Sequence, residues 1–302
     1  MTASPDLDVS VVIVSWNTRR LTTACLASLA AAAGSLAWDA WVVDNASTDG
    51  SPEAIRAGFP DVHLIANAVN LGFAAANNLA IRASTGRYVL LLNSDTVMAP
   101  GSLAALVRFV DARPALGVAG PKLLNPDGSF QSGPIPFPSL WTEGLSTTGL
   151  GRRLRFAGYP SRGPAESGHA QRADYVSGAC MLARRRAVEE VGLLDEGYFM
   201  YSEEPDWCWR MRQRGWETWY VPDARVTHFG GESTHQVRDA MYVALHRSKV
   251  RFFRRHRGTW RARCLVAMFI AASGARTLLR RLLGRHPRGV RLTRSDLWSR
   301  QV

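Results

Sequence analysis

The sequence predicts an α/β protein: a doubly wound, mostly parallel sheet flanked by helices, followed by a basic helical C-terminal extension. Three observations carry this. The run Val89-Leu90-Leu91-Leu92 shows no polar alternation and ends abruptly in Asn93-Ser94-Asp95. Such a run is a strand buried on both faces, as in parallel sheets covered by helices. Strand-like and helix-like segments alternate between Val9 and Arg113 with short connections, the pattern of right-handed βαβ crossovers. Finally, the net charge of +12 is segregated. Residues 1–239 carry 21 Lys/Arg against 24 Asp/Glu, whereas residues 240–302 carry 16 against the single acid Asp296.

The elements follow in order. Residues 9–14 (VSVVIV) form a strand and the Ala/Leu-rich stretch 21–33 a helix. Residues 41–43 form a second strand ending in Asp44-Asn45, and Ser47-Thr48-Asp49 suits the cap of a short helix over 53–57. A strand at 62–65, a loop at 67–72 and a helix at 73–83 come next; Gly86 closes that helix before the strand at 88–92, and a helix over 101–113 follows. Residues 125–172 are rich in Pro and Gly, carry Arg152, Arg153 and Arg155, and read as one long loop region. Order returns with a strand at 174–182 broken by Gly178, a helix at 184–191, a helix at 207–214 and a short strand at 219–221.

Composition excludes several classes. With 302 residues, 46% of them hydrophobic, the chain can bury a sizeable core. Cys25, Cys180, Cys208 and Cys264 are scattered, which fits neither a disulfide framework nor a zinc site and suits reduced cytosolic thiols. The first eight residues lack the features of a signal peptide. The apolar stretch 264–272 is shorter than the roughly 18 residues a bilayer span needs. Neither GxGxxG nor a P-loop pattern follows the first strand, which argues against a dinucleotide dehydrogenase and a P-loop kinase.

The acids suggest chemistry. Asp44 and Asp95 both end parallel strands, so both should face the crevice where open α/β sheets bind ligands. Asp95 could hold a hard cation, or Asn93-Ser94-Asp95 could form a turn. Asp44 could accept a hydrogen bond from a base or ribose, or begin a turn. Glu203-Glu204-Pro205-Asp206 places three carboxylates within four residues. Pro205 should keep Glu204 extended and Asp206 should cap the helix at 207, freeing both glutamates for a cleft. Crowded carboxylates raise one another's pKa, which suits a general base; the alternative is a solvated turn. Tyr198, Phe199, Tyr201, Trp207 and Trp209 surround this block and could offer faces to sugar rings. His228 could complete a mixed Asp/His metal set or simply pack.

Taken together, Val12 through Asn17, Val42 through Ser47, Asn70-Leu71-Gly72-Phe73-Ala74 through Asn77, Leu92 through Asp95, and the block Glu203 through Arg210 resemble a family 2 inverting glycosyltransferase with a GT-A fold. The similarity spans about residues 9–231 and is nearest the bacterial rhamnosyltransferase-like subgroup, which builds cell-surface polysaccharide. The resemblance implies a glycosyltransferase domain over 1–239, with a nucleotide-sugar-binding half (about 1–124) and an acceptor and catalytic-base half (173–239). It implies that Asp44 binds the base, and that Ser15, Asn17, Asn45, Asn70, Gly72, Asn77 and Asn93 line the nucleotide-sugar pocket. Asp95 and His228 would serve Mn²⁺ or Mg²⁺ at the donor diphosphate. Glu204 would be the general base within the acidic group Glu203, Glu204 and Asp206. Two positions depart from the family pattern: Asn93 replaces the first acid of the DxD-type motif, and Glu204 stands where an Asp is usual, so either glutamate could act. The implied partners are a nucleotide-sugar donor (dTDP-rhamnose or a UDP-sugar) and a lipid-linked or glycan acceptor.

The basic residues 240–302, with Arg clusters around apolar helical pieces, read as a tail that associates with an anionic membrane surface through 247–291. This places the protein in the cytoplasm, peripheral at the inner face of the plasma membrane. Nucleic acid is not an expected partner, because the apolar density is too high for a phosphate-tracking arm. Two other readings are a nucleotidyltransferase, which would carry a Gly-rich loop where Ser15-Trp16-Asn17 stands, and a catalytically degenerate membrane scaffold, which Asn93 would permit.

Overall fold

The structure is a computed structural model that describes residues 7–148, 168–231, 237–282 and 290–298. Its centre is a 10-stranded sheet. Strands β1 (Val9–Ser15), β2 (Trp38–Asp44), β3 (His63–Ala66) and β4 (Tyr88–Asn93) form a parallel half in the order β3-β2-β1-β4. The sheet continues through β9 (Cys180–Arg184), β6 (Leu116–Leu124), β10 (Glu217–His228) and β5 (Thr96–Met98). Strand β9 runs antiparallel to both β4 and β6, while β6 and β10 are parallel. Two short strands, β7 (Phe130–Ser132) and β8 (Gln171–Ala173), pair on the side with β6 and β10.

Both faces of the sheet are covered, which explains the unalternating strands. Side chains of a strand point alternately to opposite faces. Thus Val9, Val11 and Ile13 of β1 and Tyr88, Leu90 and Leu92 of β4 enter one core, and Val12, Val89 and Leu91 enter the other. The first core takes helices α1 (Arg19–Ala33) and α4 (Ser102–Asp111). The second takes α3 (Phe73–Ala83), α6 (Arg185–Val191), α7 (Glu203–Gln213) and the C-terminal helices α8 (Arg238–His256) and α9 (Thr259–Leu282). Two smaller helices are α2 (Ser51–Gly58) and α5 (Leu140–Thr148), and α10 (Arg294–Leu297) follows α9.

Several expectations need correction. The region 125–172 is not one loop: it contributes β7, α5 and β8, while Arg152, Arg153 and Arg155 lie outside the described residues. Strands β5 and β6 had no counterpart in the sequence reading, and β10 is far longer than 219–221. The short helix after β2 is capped by Gly50 rather than by side chains of 47–49, although Asp49 accepts hydrogen bonds from Ser51 at its start.

The largest correction concerns the C-terminal segment, which is built into the second core rather than appended to it. On α8, His246, Val250 and Phe253 fall at i, i+4 and i+7; on α9, Ala262, Leu265, Val266 and Phe269 fall at i, i+3, i+4 and i+7. Both are the stripe of an amphipathic helix facing a core. Lys249 of α8 also makes a buried ion pair with Glu143 of α5, 2.8 Å from Nζ to Oε2. By length and composition, Thr259–Leu279 would suffice to cross a membrane, more than the run 264–272 suggested, yet its apolar stripe is spent on the protein's own core.

Truncation tests this packing. Phe252, Phe253, Leu265 and Phe269 are all but fully buried. At ~1.5–3 kcal/mol each, losing their burial costs roughly 6–12 kcal/mol, on the scale of a whole domain's net stability of about 5–15 kcal/mol. A chain ending at residue 246 is therefore expected to lose its cooperative thermal transition and to aggregate, as followed by circular dichroism; a sharp melt like the full chain's would show that the core is independent of α8 and α9.

Candidate active site

The strand register sets the site. Ser15 of β1 pairs with Asp44 of β2, and Val14 pairs with Asn93 of β4, so three parallel strands end at one level. Strand β9 returns antiparallel beside β4, with Cys180 opposite Leu92, and brings the 177–179 turn to the same edge. Strand β10 places His228 opposite Thr96. These ends open on a cavity of about 650 Å³, as expected at the carboxyl edge of such a sheet.

Of the residues expected at the site, Asn45, Asn70, Gly72, Asn93, Asp95, Glu203, Glu204 and His228 line this cavity. Ser15, Asn17, Asp44, Asn77 and Asp206 do not. Ser15 is buried, its hydroxyl 3.2 Å from that of Thr18 and 3.0 Å from that of Thr22. Asn17 sits at a left-handed φ of 50° and accepts from the Thr48 N–H at 2.7 Å, pinning the turn after β2. Asn77 is buried within α3 and donates to the Phe73 carbonyl at 2.8 Å. These three shape the walls rather than face the cavity.

Asp44 does two things at the end of β2. Its Oδ2 accepts from the Ser47 N–H at 2.9 Å, which is the turn. Its Oδ1 is buried with no hydrogen-bond partner among the described residues, a costly state for a carboxylate oxygen unless a ligand donates to it. The 67–72 loop is held nearby. Asn70 Oδ1 accepts from the Gly72 N–H at 2.9 Å, and Asn45 Nδ2 donates to the Gly72 carbonyl at 3.2 Å. Gly72 has φ 82°, and a Cβ there would collide with the Phe199 carbonyl, so only glycine permits this contact.

Asp95 and His228 meet, with 3.2 Å between Oδ1 and Nε2. The histidine tautomer follows from Gln131. The His228 carbonyl can only accept, so the Gln131 atom 2.8 Å from it is the amide nitrogen, and Gln131 Oε1 faces His228 Nδ1 at 2.7 Å. Nδ1 therefore carries a proton, and Nε2 points at Asp95. Asn93 Nδ2 lies 3.4 Å from the same nitrogen. A carboxylate oxygen and an imidazole nitrogen aimed at one point are donor types that suit a divalent cation, and without one the same two groups form an ion pair. It is a sparse set: among the described residues, no three His, Cys, Asp or Glu side chains converge. Two protein donors leave most positions of a hard cation open, so one bound here would need further oxygen ligands from outside the protein.

Across the cavity lie the glutamates. Helix α7 begins at Glu203, not at Trp207, and its N-cap is Ser202. Pro205 therefore does not hold Glu204 extended. It occupies the first turn, where a backbone N–H has no helical partner to lose. Tyr201 and Ser202 both adopt left-handed φ, 70° and 69°, which turns the chain so that the first residues of α7 face the cavity. Glu204 Oε1 accepts from the Gly178 N–H at 3.0 Å, and a Cβ at Gly178 would strike that carboxylate. Glu203 is buried, and its Oε2 has no partner among the described residues. Burial, and then the charge of Glu204, push the Glu203 carboxyl well above its usual range. Burial also raises Glu204, partly offset by the backbone N–H groups that favour its ionised form.

Asp206 is not the helix cap and does not reach the cavity. It is fully buried and accepts from Arg210 at 2.8 Å, with His256 Nε2 at 2.7 Å. The aromatic set is also corrected. Tyr198 and Trp207 are core residues, Trp209 packs on Phe137 and Phe252, and of the five only Tyr201 lines the cavity. Gln131, Gly178, Tyr175 and Lys249 line it unannounced. Gly178 was visible only as a strand breaker, and Lys249 was hidden among the basic residues of the C-terminal segment.

This geometry, a cation-suited pair facing a raised carboxylate across one cleft, agrees with comparisons to known proteins. Residues 10–192 match the glycosyl transferase family 2 model. An N-acetylglucosaminyl-diphospho-decaprenol L-rhamnosyltransferase of Mycobacterium tuberculosis is 34% identical over 242 residues, covering 73% of this chain and 76% of its own length. The rhamnosyltransferase WbbL of Escherichia coli K12 is 27% identical over 174 residues, covering 52% of this chain and 61% of its own. Among solved structures, a mannosyltransferase from Pyrobaculum calidifontis in complex with GDP-Man and Mn²⁺ superposes with a TM-score of 0.53 at 18% identity, covering 94% of this chain and 82% of that chain. GalNAc-T7 with UDP, GalNAc and Mn²⁺ gives 0.54 at 17% identity, covering 83% and 48%. The two superpositions establish a shared GT-A fold, and the sequence matches establish that this chain belongs to glycosyl transferase family 2 and is a glycosyltransferase.

Proposed function

We propose that this protein is an inverting rhamnosyltransferase of cell-surface glycan synthesis. It moves L-rhamnose from dTDP-rhamnose to a hydroxyl of an N-acetylglucosaminyl-diphospho-polyprenol at the cytoplasmic face of the membrane. The observation that carries the reading is Glu204, held by the Gly178 N–H at 3.0 Å on the wall of the cavity that Asp95 and His228 also line. The sugar and the acceptor are taken from the 34% identical relative.

In this reading the donor's base lies over the end of β2 against Asn45, Asn70 and Gly72, and Asp44, enclosed there with Oδ1 unpaired, turns to accept from it. Asp95 and His228, with Asn93 beside them, would hold Mn²⁺ or Mg²⁺. A cation bound there would supply positive charge to a departing nucleoside diphosphate. Burial opposes charge on both glutamates; Glu204 is the carboxylate of the two because backbone N–H groups, that of Gly178 among them, offset burial there, while Glu203 Oε2 has no partner among the described residues and the charge of Glu204 raises Glu203 further. Glu204 takes the acceptor hydroxyl's proton as its oxygen bonds to the anomeric carbon and the bond to the diphosphate breaks. One displacement inverts that centre. Association with an anionic membrane would use the arginines of α9 and the exposed Trp260, Leu278, Leu279 and Leu282. Residues 283–289 of the expected contact lie outside the described part.

Nucleoside diphosphate release from a panel of nucleotide sugars tests this directly. Release from dTDP-rhamnose with a lipid-linked N-acetylglucosamine acceptor is expected, lost with chelator, and reduced on the order of 10²–10⁴-fold in Glu204→Gln. Full activity of that variant would remove Glu204 from the chemistry. The pH dependence has a defined sign. Because burial raises Glu204 above the usual glutamate value of 4.5, activity falls as pH drops through that raised value. The acid limb of the kcat/KM profile is thus expected above 4.5, and a limb at or below the value of a free glutamate would contradict the assignment.

A further inference from the structure

The protein holds a second large cavity, of about 870 Å³, that the sugar-transfer chemistry does not use. Arg247, Arg251, Arg254 and Arg255 of α8 stand along it, and Phe199, Met241, Val243 and Leu297 give it apolar walls. Two of the arginines are committed. Arg251 and Arg255 pair with Asp195, Arg251 at 2.9 Å, and a Cβ at Gly197 would collide with the Arg251 guanidinium. The other two have no carboxylate partner within ion-pair distance among the described residues. Arg247 donates through Nε to the Asp296 carbonyl at 2.9 Å, and Arg254 lies over the Trp298 ring at 5.1 Å. Each guanidinium keeps further N–H groups for an anion.

This cavity adjoins the catalytic one across a single ridge. Leu245 and Lys249 face the catalytic cavity, while their neighbours Ala244 and Ser248 face the arginine cavity. Successive residues of a helix are about 100° apart, so the two cavities occupy adjacent faces of α8. The preceding loop repeats the division: Met200 lines the first cavity and Phe199 the second.

We infer that the arginine cavity is the binding site for the prenyl diphosphate portion of the acceptor. Arg247 and Arg254 grip the diphosphate, and the apolar walls receive the first isoprene units. This rests on the acceptor class proposed above. Such an acceptor has three chemically distinct parts in series: a sugar hydroxyl, a diphosphate and a hydrocarbon chain. The protein offers in the same series a carboxylate in the catalytic cavity, cationic forks beyond the ridge, and apolar side chains around them. Guanidinium groups bind phosphate oxygens in a bidentate, charge-assisted fashion. The arrangement also keeps the acceptor's anion away from the donor's diphosphate.

The test uses the full-length chain and the double variant Arg247→Ala/Arg254→Ala, neither residue being part of the catalytic cavity. Calorimetry with farnesyl diphosphate alone, without sugar or donor, reads the site whatever the transferred sugar is. Wild type is expected to bind it, and the double variant to lose at least about ten-fold in affinity, as for removal of charge-assisted hydrogen bonds to phosphate. In transfer assays the variant's KM should rise for an N-acetylglucosaminyl-diphospho-prenol and stay unchanged for a phosphate-free N-acetylglucosaminide, with an unaltered melting temperature. No binding of farnesyl diphosphate by wild type, equal binding by the variant, or a loss confined to phosphatidylglycerol vesicles would overturn the inference. If wild type binds the prenyl diphosphate through these arginines yet glycosylates no N-acetylglucosamine acceptor, the site stands and the proposed sugar chemistry fails.

Discussion

One buried carboxylate joins the helix that carries Glu203 and Glu204 to the C-terminal helices, and it is not one that faces the cavity. Asp206 lies a single turn into α7, after Glu203 and Glu204, and is completely enclosed. It takes hydrogen bonds from His256 of α8 and Arg210 of its own helix, with Arg255 of α8 at 3.5 Å. Burial alone would raise its pKa; the His256 hydrogen bond and the Arg210 charge outweigh burial and hold it below the usual carboxylate range. Its contribution to stability is therefore present above the usual Asp value and is lost as pH falls through the lowered one. Removing one member of such a network leaves an uncompensated buried charge, at about 3–5 kcal/mol. Through this contact α8 fixes the helix whose first turn carries the glutamates.

Backbone strain collects at the same places. Asn17, Ala46, Tyr201 and Ser202 are the non-glycine residues with left-handed φ among the described residues. Asn17 and Ala46 flank the end of β2 and its unpaired Asp44 oxygen; Tyr201 and Ser202 lead into the glutamates. Each such residue costs on the order of 1–3 kcal/mol, offset by the packing around it. The two ends of the cleft are thus held in place rather than left to loops, which suits the proposed displacement, in which a hydroxyl, a carboxylate and an anomeric carbon would meet in line.

The parallel half of the fold was legible in the sequence because its signal is local. Strands buried on both faces, such as 89–92, announce themselves by unbroken apolar runs, and acids at their ends announce the crevice. Sites set by register were harder to read. Gly178 meets Glu204 only because β9 returns antiparallel beside β4, and Gln131 fixes His228 across 97 residues of sequence. The acidic block misled in a specific way: Pro205 suggested an extended Glu204, but proline is equally at home in the first turn of a helix, and a cap in left-handed conformation at Ser202 leaves no sequence signature. Charge misled as well. The basic segment 240–302 reads as a surface tail, yet its alternation of arginine and apolar residues also encodes helices with one core face, and Asp195, Asp206 and Glu143, which partner Arg251, Arg255, His256 and Lys249, lie far off in sequence.

In the proposed reaction a carboxylate on α7 drives a single displacement at the anomeric carbon. The configuration of the transferred sugar tests it most directly, read as the one-bond carbon–proton coupling at the anomeric centre of the isolated product and compared with that of the donor. The opposite configuration from the donor is expected in essentially every product molecule. Retained configuration would require a two-step or front-face reaction and would contradict the role given to Glu204.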